Sequence, residues 1–156
     1  MNPSFPLDEV DRRILNALQN DAALTNAELA QLVHVSAPTC LRRVKQLRDS
    51  GVIERQVAIV APDKVGAQLT AIVEITLDVQ AAERMGEFEA HVGAETAVLQ
   101  CYRVSPGPDF VLVVQVADMP AYHALAHRLF ASHANVRNVK AYFSTFRSKF
   151  DTRIAV

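Results

Sequence analysis

Residues 25–51 read TNAELAQLVHVSAPTCLRRVKQLRDSG. Thr25 and Glu28 stand three apart, the spacing at which a hydroxyl and a carboxylate cap the start of a helix reciprocally. Behind them Leu29, Ala30, Leu32 and Val33 recur with helical periodicity. His34 and Val35 interrupt that pattern. Ser36 is then a second N-cap candidate, and Pro38 falls in a first helical turn, where its missing N–H costs little. This later helix runs to about Ser50, and Gly51 is placed to cap it. Two short helices joined by a turn of about four residues make a helix-turn-helix.

The second of these helices can be laid out by angle, at about 100° per residue. With Val44 at the centre of the buried face, Ala37, Cys40, Leu41 and Leu47 lie within about 60° of it. Thr39, Arg42 and Gln46 lie near the opposite pole, flanked by Pro38, Arg43 and Lys45. Short and amide side chains able to touch base edges are thus bordered by cations able to reach phosphates, which is how a recognition helix uses a major groove. Ser36, Pro38, Thr39, Arg42, Arg43, Lys45 and Gln46 are the candidate DNA-binding residues. An ordinary amphipathic surface helix would share part of this pattern, but not the capped helix and tight turn before it. Cys40 faces inward and reads as a small core residue.

Upstream, Leu7, Val10, Ile14, Leu15 and Leu18 fall at helical spacing after a capping Asp8. Charge is distributed unevenly. Residues 1–35 carry Arg12 and Arg13 against Asp8, Glu9, Asp11, Asp21 and Glu28, whereas residues 36–55 carry Arg42, Arg43, Lys45, Arg48 and Arg55 against Asp49 and Glu54. A local basic segment binds a polyanion without the chain being basic overall, and the net charge here is −1 over 156 residues. With 50% hydrophobic and 21% charged residues, the composition excludes disordered and collagen-like classes. No apolar run approaches the roughly 18 residues of a membrane span. The start, MNPSFPLDEVD, has no basic region of the signal-peptide kind. Two distant cysteines, Cys40 and Cys101, read as free thiols of a reducing cytoplasm, so the expected location is cytoplasmic.

LDEVDRRILNALQND at 7–21, NAELA at 26–30 and VSAPTCLRRVKQLRDSGVI at 35–53 together resemble the N-terminal half of the Lrp/AsnC, or feast/famine, transcriptional regulators. His34 is a departure, since relatives often carry Gly in this turn. His is among the few non-glycine residues that tolerate a positive φ, so the turn is expected to survive with some strain.

The segment 57–61 reads as extended and is followed by PDKVG, a natural boundary. The expected organisation is a DNA-binding domain over 1–55, a linker over 56–66 and a second domain over 67–156. In the second domain strands are expected at 69–77, 98–104, 110–116 and 136–146, and helices at 81–91 and 119–133. That βαββαβ order gives an α+β fold, a ferredoxin-like antiparallel sheet with two helices on one face. Apolar residues occupy both strand parities at 71–73 and 111–114, so the uncovered face calls for a second copy. The partners expected are therefore double-stranded DNA and a homodimer, which suits two recognition helices on two half-sites. The resemblance also implies larger rings, such as octamers.

The family resemblance further implies an amino-acid effector in a cleft between dimers, built from the loop after Val104, the strand end before it and the last strand. Carried onto this sequence, the effector residues are Val104, Ser105, Gly107, Asp109, Met119, Tyr142 and Ser144. Gly107 would allow close approach to a carboxylate and Asp109 would hold an ammonium. Relatives commonly have a second acidic residue here. This chain instead flanks Gly107 with Pro106 and Pro108, which stiffens the loop. Met119 and Tyr142 read equally well as core packing, and Ser105 and Asp109 as turn residues. His123 and His127 stand at i, i+4, but no third ligand accompanies them, so no metal or other cofactor is expected. No GxSxG, P-loop or GxGxxG is present. The function expected is ligand-responsive, sequence-specific transcription regulation, not catalysis. The alternative is a small metabolite-binding module or enzyme whose first helices mediate protein contacts.

Overall fold

Asp8 caps α1 (Glu9–Asn20). Its Oδ1 accepts from the N–H of Asp11 at 2.9 Å, and Asp11 Oδ2 accepts from the N–H of Asp8 at 3.2 Å. The same reciprocal device, Thr25 with Glu28, opens α2 (Asn26–Leu32), and α3 spans Ala37–Asp49. The computed structural model describes residues 6–156, so the first five residues of the MNPSFPLDEVD start lie outside it. These residues form two units: 6–59 together with 149–156, and 60–148.

In the helical unit Ile14, Leu15, Leu29, Ala30, Val33, Cys40, Val44 and Leu47 are buried. Two expectations fail at the margins. Leu32 and Leu41 are 57% and 60% exposed, not inward. Both sit at the edge of their helix's apolar arc, and three short helices cover only the centre of each arc. Ala37, the first residue of α3, is exposed for the same reason.

The chain's last eight residues belong to this unit, although they were expected with the second domain. Gln19 holds them by an amide pair: Ile154 N–H donates to Gln19 Oε1 at 2.8 Å, and Gln19 Nε2 donates to the Ile154 carbonyl at 3.0 Å. Arg153 Nη1 donates to Asn20 Oδ1 at 2.7 Å, and Val156 packs against the helical core.

The second unit holds β1 (Leu69–Leu77), α4 (Ala82–Gly93), β2 (Val98–Arg103), β3 (Phe110–Val116), α5 (Met119–Ala126) and β4 (Val136–Phe143). The sheet order is β2-β3-β1-β4 with every pair antiparallel, the ferredoxin-like arrangement expected. Ala71, Val73, Ile75 and Leu77 alternate inward on β1, as do Phe110, Leu112 and Val114 on β3. They meet Phe88 and Val92 of α4 and Tyr122 and Leu125 of α5, each such side chain contributing about 1.5–3 kcal/mol on burial. The register settles which parity is core: Val73 faces Leu112, while Ile72 faces Val113 and Glu74 faces Val111.

Two irregularities stand out. The helix expected to reach His133 is α-helical only to Ala126 and continues as a π-helical turn over His127–Ala131. Opposite it, the β1–β4 register shifts between Thr76 and Leu77, whose partners are Asn138 and Val136, so Arg137 has no opposite residue. The final strand also stops at Phe143, short of the expected Phe146.

The outer face of the sheet is less uniformly apolar than expected. Cross-strand pairing puts Ile72, Val111, Val113, Tyr102 and Tyr142 on it, with Thr70, Glu74, Gln100 and Lys140 around them. Ile72 is 43% exposed, and no helix of this unit covers that face.

Candidate DNA-binding helix and effector cleft

The turn before α3 is fixed by the chain itself. His34 takes φ +57°, the left-handed conformation anticipated for it, and Val35 N–H reaches the Ala30 carbonyl at 3.0 Å. Asn26 Nδ2 donates to the Ala37 carbonyl at 2.9 Å, tying the start of α2 to the start of α3. Ser36 sits at the N-cap, but its hydroxyl donates to Thr39 Oγ1 at 2.8 Å instead of capping the backbone. At the far end Gly51 adopts φ +75°, and the N–H of Ile53 closes on the Leu47 carbonyl.

With Cys40, Val44 and Leu47 buried, α3 presents Ser36, Pro38, Arg42, Lys45 and Gln46 to solvent, with Thr39 half-buried. Arg42 Nη1 donates to Gln46 Oε1 at 3.2 Å, which pre-aligns the two along the helix. Among the described residues no carboxylate pairs with Arg42 or Lys45. Arg43 differs from them. Its Nη1 lies 2.5 Å from Asp8 Oδ2 and 3.0 Å from Asp11 Oδ1, and its side chain is only 23% exposed. The hydrogen bonds to Asp11 and Asp8 push the guanidinium further into its charged form. The Asp8 carboxyl is in turn held below its usual value, first by the Asp11 N–H and then by Arg43. Arg43 thus locks α3 to the start of α1. Sequence reasoning missed this because the partners lie more than thirty positions away.

The effector candidates fall into two groups. Val104, Ser105, Gly107 and Asp109 gather in the β2–β3 loop beside Ile75 and Leu77, with Gly107 at φ +122°. Val104 N–H donates to the Asp109 carbonyl at 3.1 Å. The Asp109 carboxylate is engaged, its Oδ2 accepting from Leu77 N–H at 2.7 Å. Met119 and Ser144 sit at the other end of β1: Ser144 N–H donates to the Thr70 carbonyl, and Met119 follows β3 beyond Val116, which faces Leu69. Tyr142 faces Ile72. Thr70 and Ile75 are five residues apart, about 17 Å along a strand. Within one chain these seven residues therefore fall into two groups toward opposite ends of β1. Met119 and Tyr142 are 40% and 51% exposed, so neither is plain core.

Residues 7–54 match the winged helix-turn-helix DNA-binding family, and residues 70–154 match the Lrp/AsnC ligand binding domain. This chain belongs to the Lrp/AsnC family. An HTH-type transcriptional regulator of Haemophilus influenzae is 38% identical over 95% of this chain and 88% of its own length. The leucine-responsive regulatory protein of Salmonella typhimurium is 33% identical over 99% and 94%. Among solved structures, a transcriptional regulator of Neisseria meningitidis in complex with L-Met superposes with a TM-score of 0.89 at 31% identity, covering 96% of both chains. An AsnC family regulator of Agrobacterium tumefaciens gives 0.89 at 34% identity, over 95% and 96%. This Lrp/AsnC chain is accordingly a DNA-binding transcription regulator with a ligand-binding domain. No helix among the described residues is long and apolar enough to cross a membrane.

Proposed function

We propose that this regulator acts in the cytoplasm as a homo-oligomer, reads two operator half-sites with paired α3 helices, and adjusts its affinity to an amino-acid-like effector held between subunits. The observation that carries the DNA half is the exposed Arg42–Gln46 pair beside Lys45, with no carboxylate on either cation among the described residues. Ser36, Pro38 and Thr39 lie at the N-terminal end of α3, where recognition helices touch bases. Arg43 orients α3 and is not a primary phosphate contact.

Dimerisation is supported by the outer sheet face, whose apolar centre is covered by no helix of its own unit. The split of the effector residues over about 17 Å supports a cleft shared by different copies, with the Ser105–Asp109 loop of one meeting Met119, Tyr142 and Ser144 of another. Higher assembly, such as an octamer, would supply that meeting. Backbone N–H groups at Ser105 and Gly107 suit the ligand's carboxylate. Asp109 keeps only its second oxygen for an ammonium.

A gel-shift titration against the DNA upstream of its own gene tests the first part. Saturable binding that survives competitor DNA is expected, and no binding at low salt would overturn it. Calorimetry against the twenty amino acids, L-Met among the first, tests the second part. Binding of one that also shifts the sedimentation profile is expected; no binding at millimolar concentration would make this an effector-independent regulator.

A further inference from the structure

Two of the sheet unit's backbone irregularities, the π turn and the β1–β4 bulge, border the same space. A groove of about 540 Å³ lies between α5 with its π turn and the bulged start of β4, and none of the seven effector candidates lines it. Such a volume is typical of small-molecule sites. Its floor and walls are largely apolar, with Ala126, Phe130, Val136 and Val139 contributing. π turns and β-bulges both break a regular ladder to re-aim side chains, and both are over-represented at functional sites. Here the exposed Arg137, left unopposed by the bulge, lines the groove together with His127 at the start of the π turn and His123 one turn before it.

The polar groups of this groove are unspent. Tyr122 is 6% exposed, lines the groove, and its hydroxyl has no hydrogen-bond partner among the described residues. Burial pushes its pKa up, so it remains a neutral donor at physiological pH. Arg137 pairs with no carboxylate among the described residues. The guanidinium, the phenol and the two imidazoles can all donate, and among the described residues no Asp or Glu lines the groove. An anion is therefore matched, whereas the ammonium of an amino acid would meet no carboxylate.

We propose that the groove between the π turn of α5 and the bulge of β4 binds a monocarboxylate with an apolar body and no ammonium group. Arg137 pairs with the carboxylate, Tyr122 or His127 donates to it, and the body lies against Ala126, Phe130 and Val139. The site is separate from the proposed amino-acid cleft, so the chain carries two ligand chemistries.

The test is calorimetry of the full chain with octanoate and 4-methyl-2-oxopentanoate, with L-leucine and octan-1-ol as controls lacking, respectively, net negative charge and any charge. One of the two carboxylates is expected to bind saturably at this site, and neither control to displace it. Arg137→Gln, an exposed substitution at a bulge, should weaken binding about tenfold to a hundredfold, as loss of a charge-assisted pair does. Tyr122→Phe keeps the shape and should weaken it less. Asp109→Asn, in the other site, should leave it unchanged. Absence of binding by either carboxylate at millimolar concentration would overturn the proposal. So would equal affinity in Arg137→Gln, or a loss confined to Asp109→Asn. A failed amino-acid titration with an intact octanoate response would remove the effector reading alone.

Discussion

The exposed face of α3 and the outer face of the sheet are each left open by the elements of their own unit, and they are open in opposite ways. On α3 the exposed groups are charged or amide, and water satisfies them until a polyanion replaces it. On the sheet the centre is Ile72, Val111 and Val113, which water does not satisfy. The first face can wait for its partner; the second favours a partner at all times. A regulator that must release DNA yet remain assembled has reason to divide its surfaces this way.

The sharpest break in this comparison comes from the sheet. Leu112→Asp places a charge under α4 and α5 and should unfold the sheet unit, a loss of about 4 kcal/mol or more seen as a lowered thermal midpoint. Val113→Asp, one residue on, should leave the fold intact and separate the copies, because a charge buried without a partner at an interface costs several kcal/mol. Sedimentation distinguishes the two, and a stably folded monomeric wild type would sink the interface assignment. On α3, Arg42→Ala or Gln46→Ala should alter sequence preference at about 1–3 kcal/mol per lost base contact. Lys45→Ala should instead weaken all sequences alike, lowering the salt slope by about 1 per phosphate contact.

Arg43→Ala sharpens the contrast within α3 itself. It leaves the nearly buried Asp11 without its cation, holding only the Asp8 N–H, so it should cost about 1–3 kcal/mol of helical-unit stability while the salt slope of DNA binding stays as in wild type. A fall in that slope would return Arg43 to the phosphate contacts.

The smallest effect is acid response. His133 rests edge-on against Phe88, with ring centroids 5.4 Å apart, and 5.1 Å from the His91 ring. Burial, then the proximity of His91, lower its pKa from 6.5, and Glu87 opposes them. The folded sheet unit thus favours the neutral ring, and this stability is full above pH 6.5 and lost as pH falls through the lowered value. In the helical unit the depressed Asp8 carboxyl contributes above pH 3.8 and is lost only below it. The sheet unit should soften first on acidification, by urea titration at successive pH values, and His133→Gln should flatten the early part of that response.

What was legible in the sequence was local. Caps such as Thr25–Glu28, the periodicity of α3 and the alternation of β1 and β3 announce themselves within a few residues. Strand register was not, since 111 and 112 are both apolar and only pairing across β1 tells them apart. The employment of Arg43 by Asp8 and Asp11 was hidden by sequence distance. The effector residues were named from the resemblance, which carries positions but not the chain that each one serves. The groove beside Arg137 was least legible of all, because a bulge and a π turn are departures from the very periodicities used to find elements. Only His123 and His127, left over without a metal-like third partner, hinted at it.

The polypeptide lies in the helical unit from residue 6 to residue 59, leaves it, and rejoins it over residues 149–156. Genetically, this makes codons 149–156 part of the DNA-binding half. A nonsense mutation at codon 149 would spare every strand of the sheet unit yet remove the Ile154 backbone that Gln19 holds and the Val156 side chain set against the helical core. Its phenotype should map with lesions in α1. A bulky insertion within residues 149–156 would likewise load the reading head rather than the sensor.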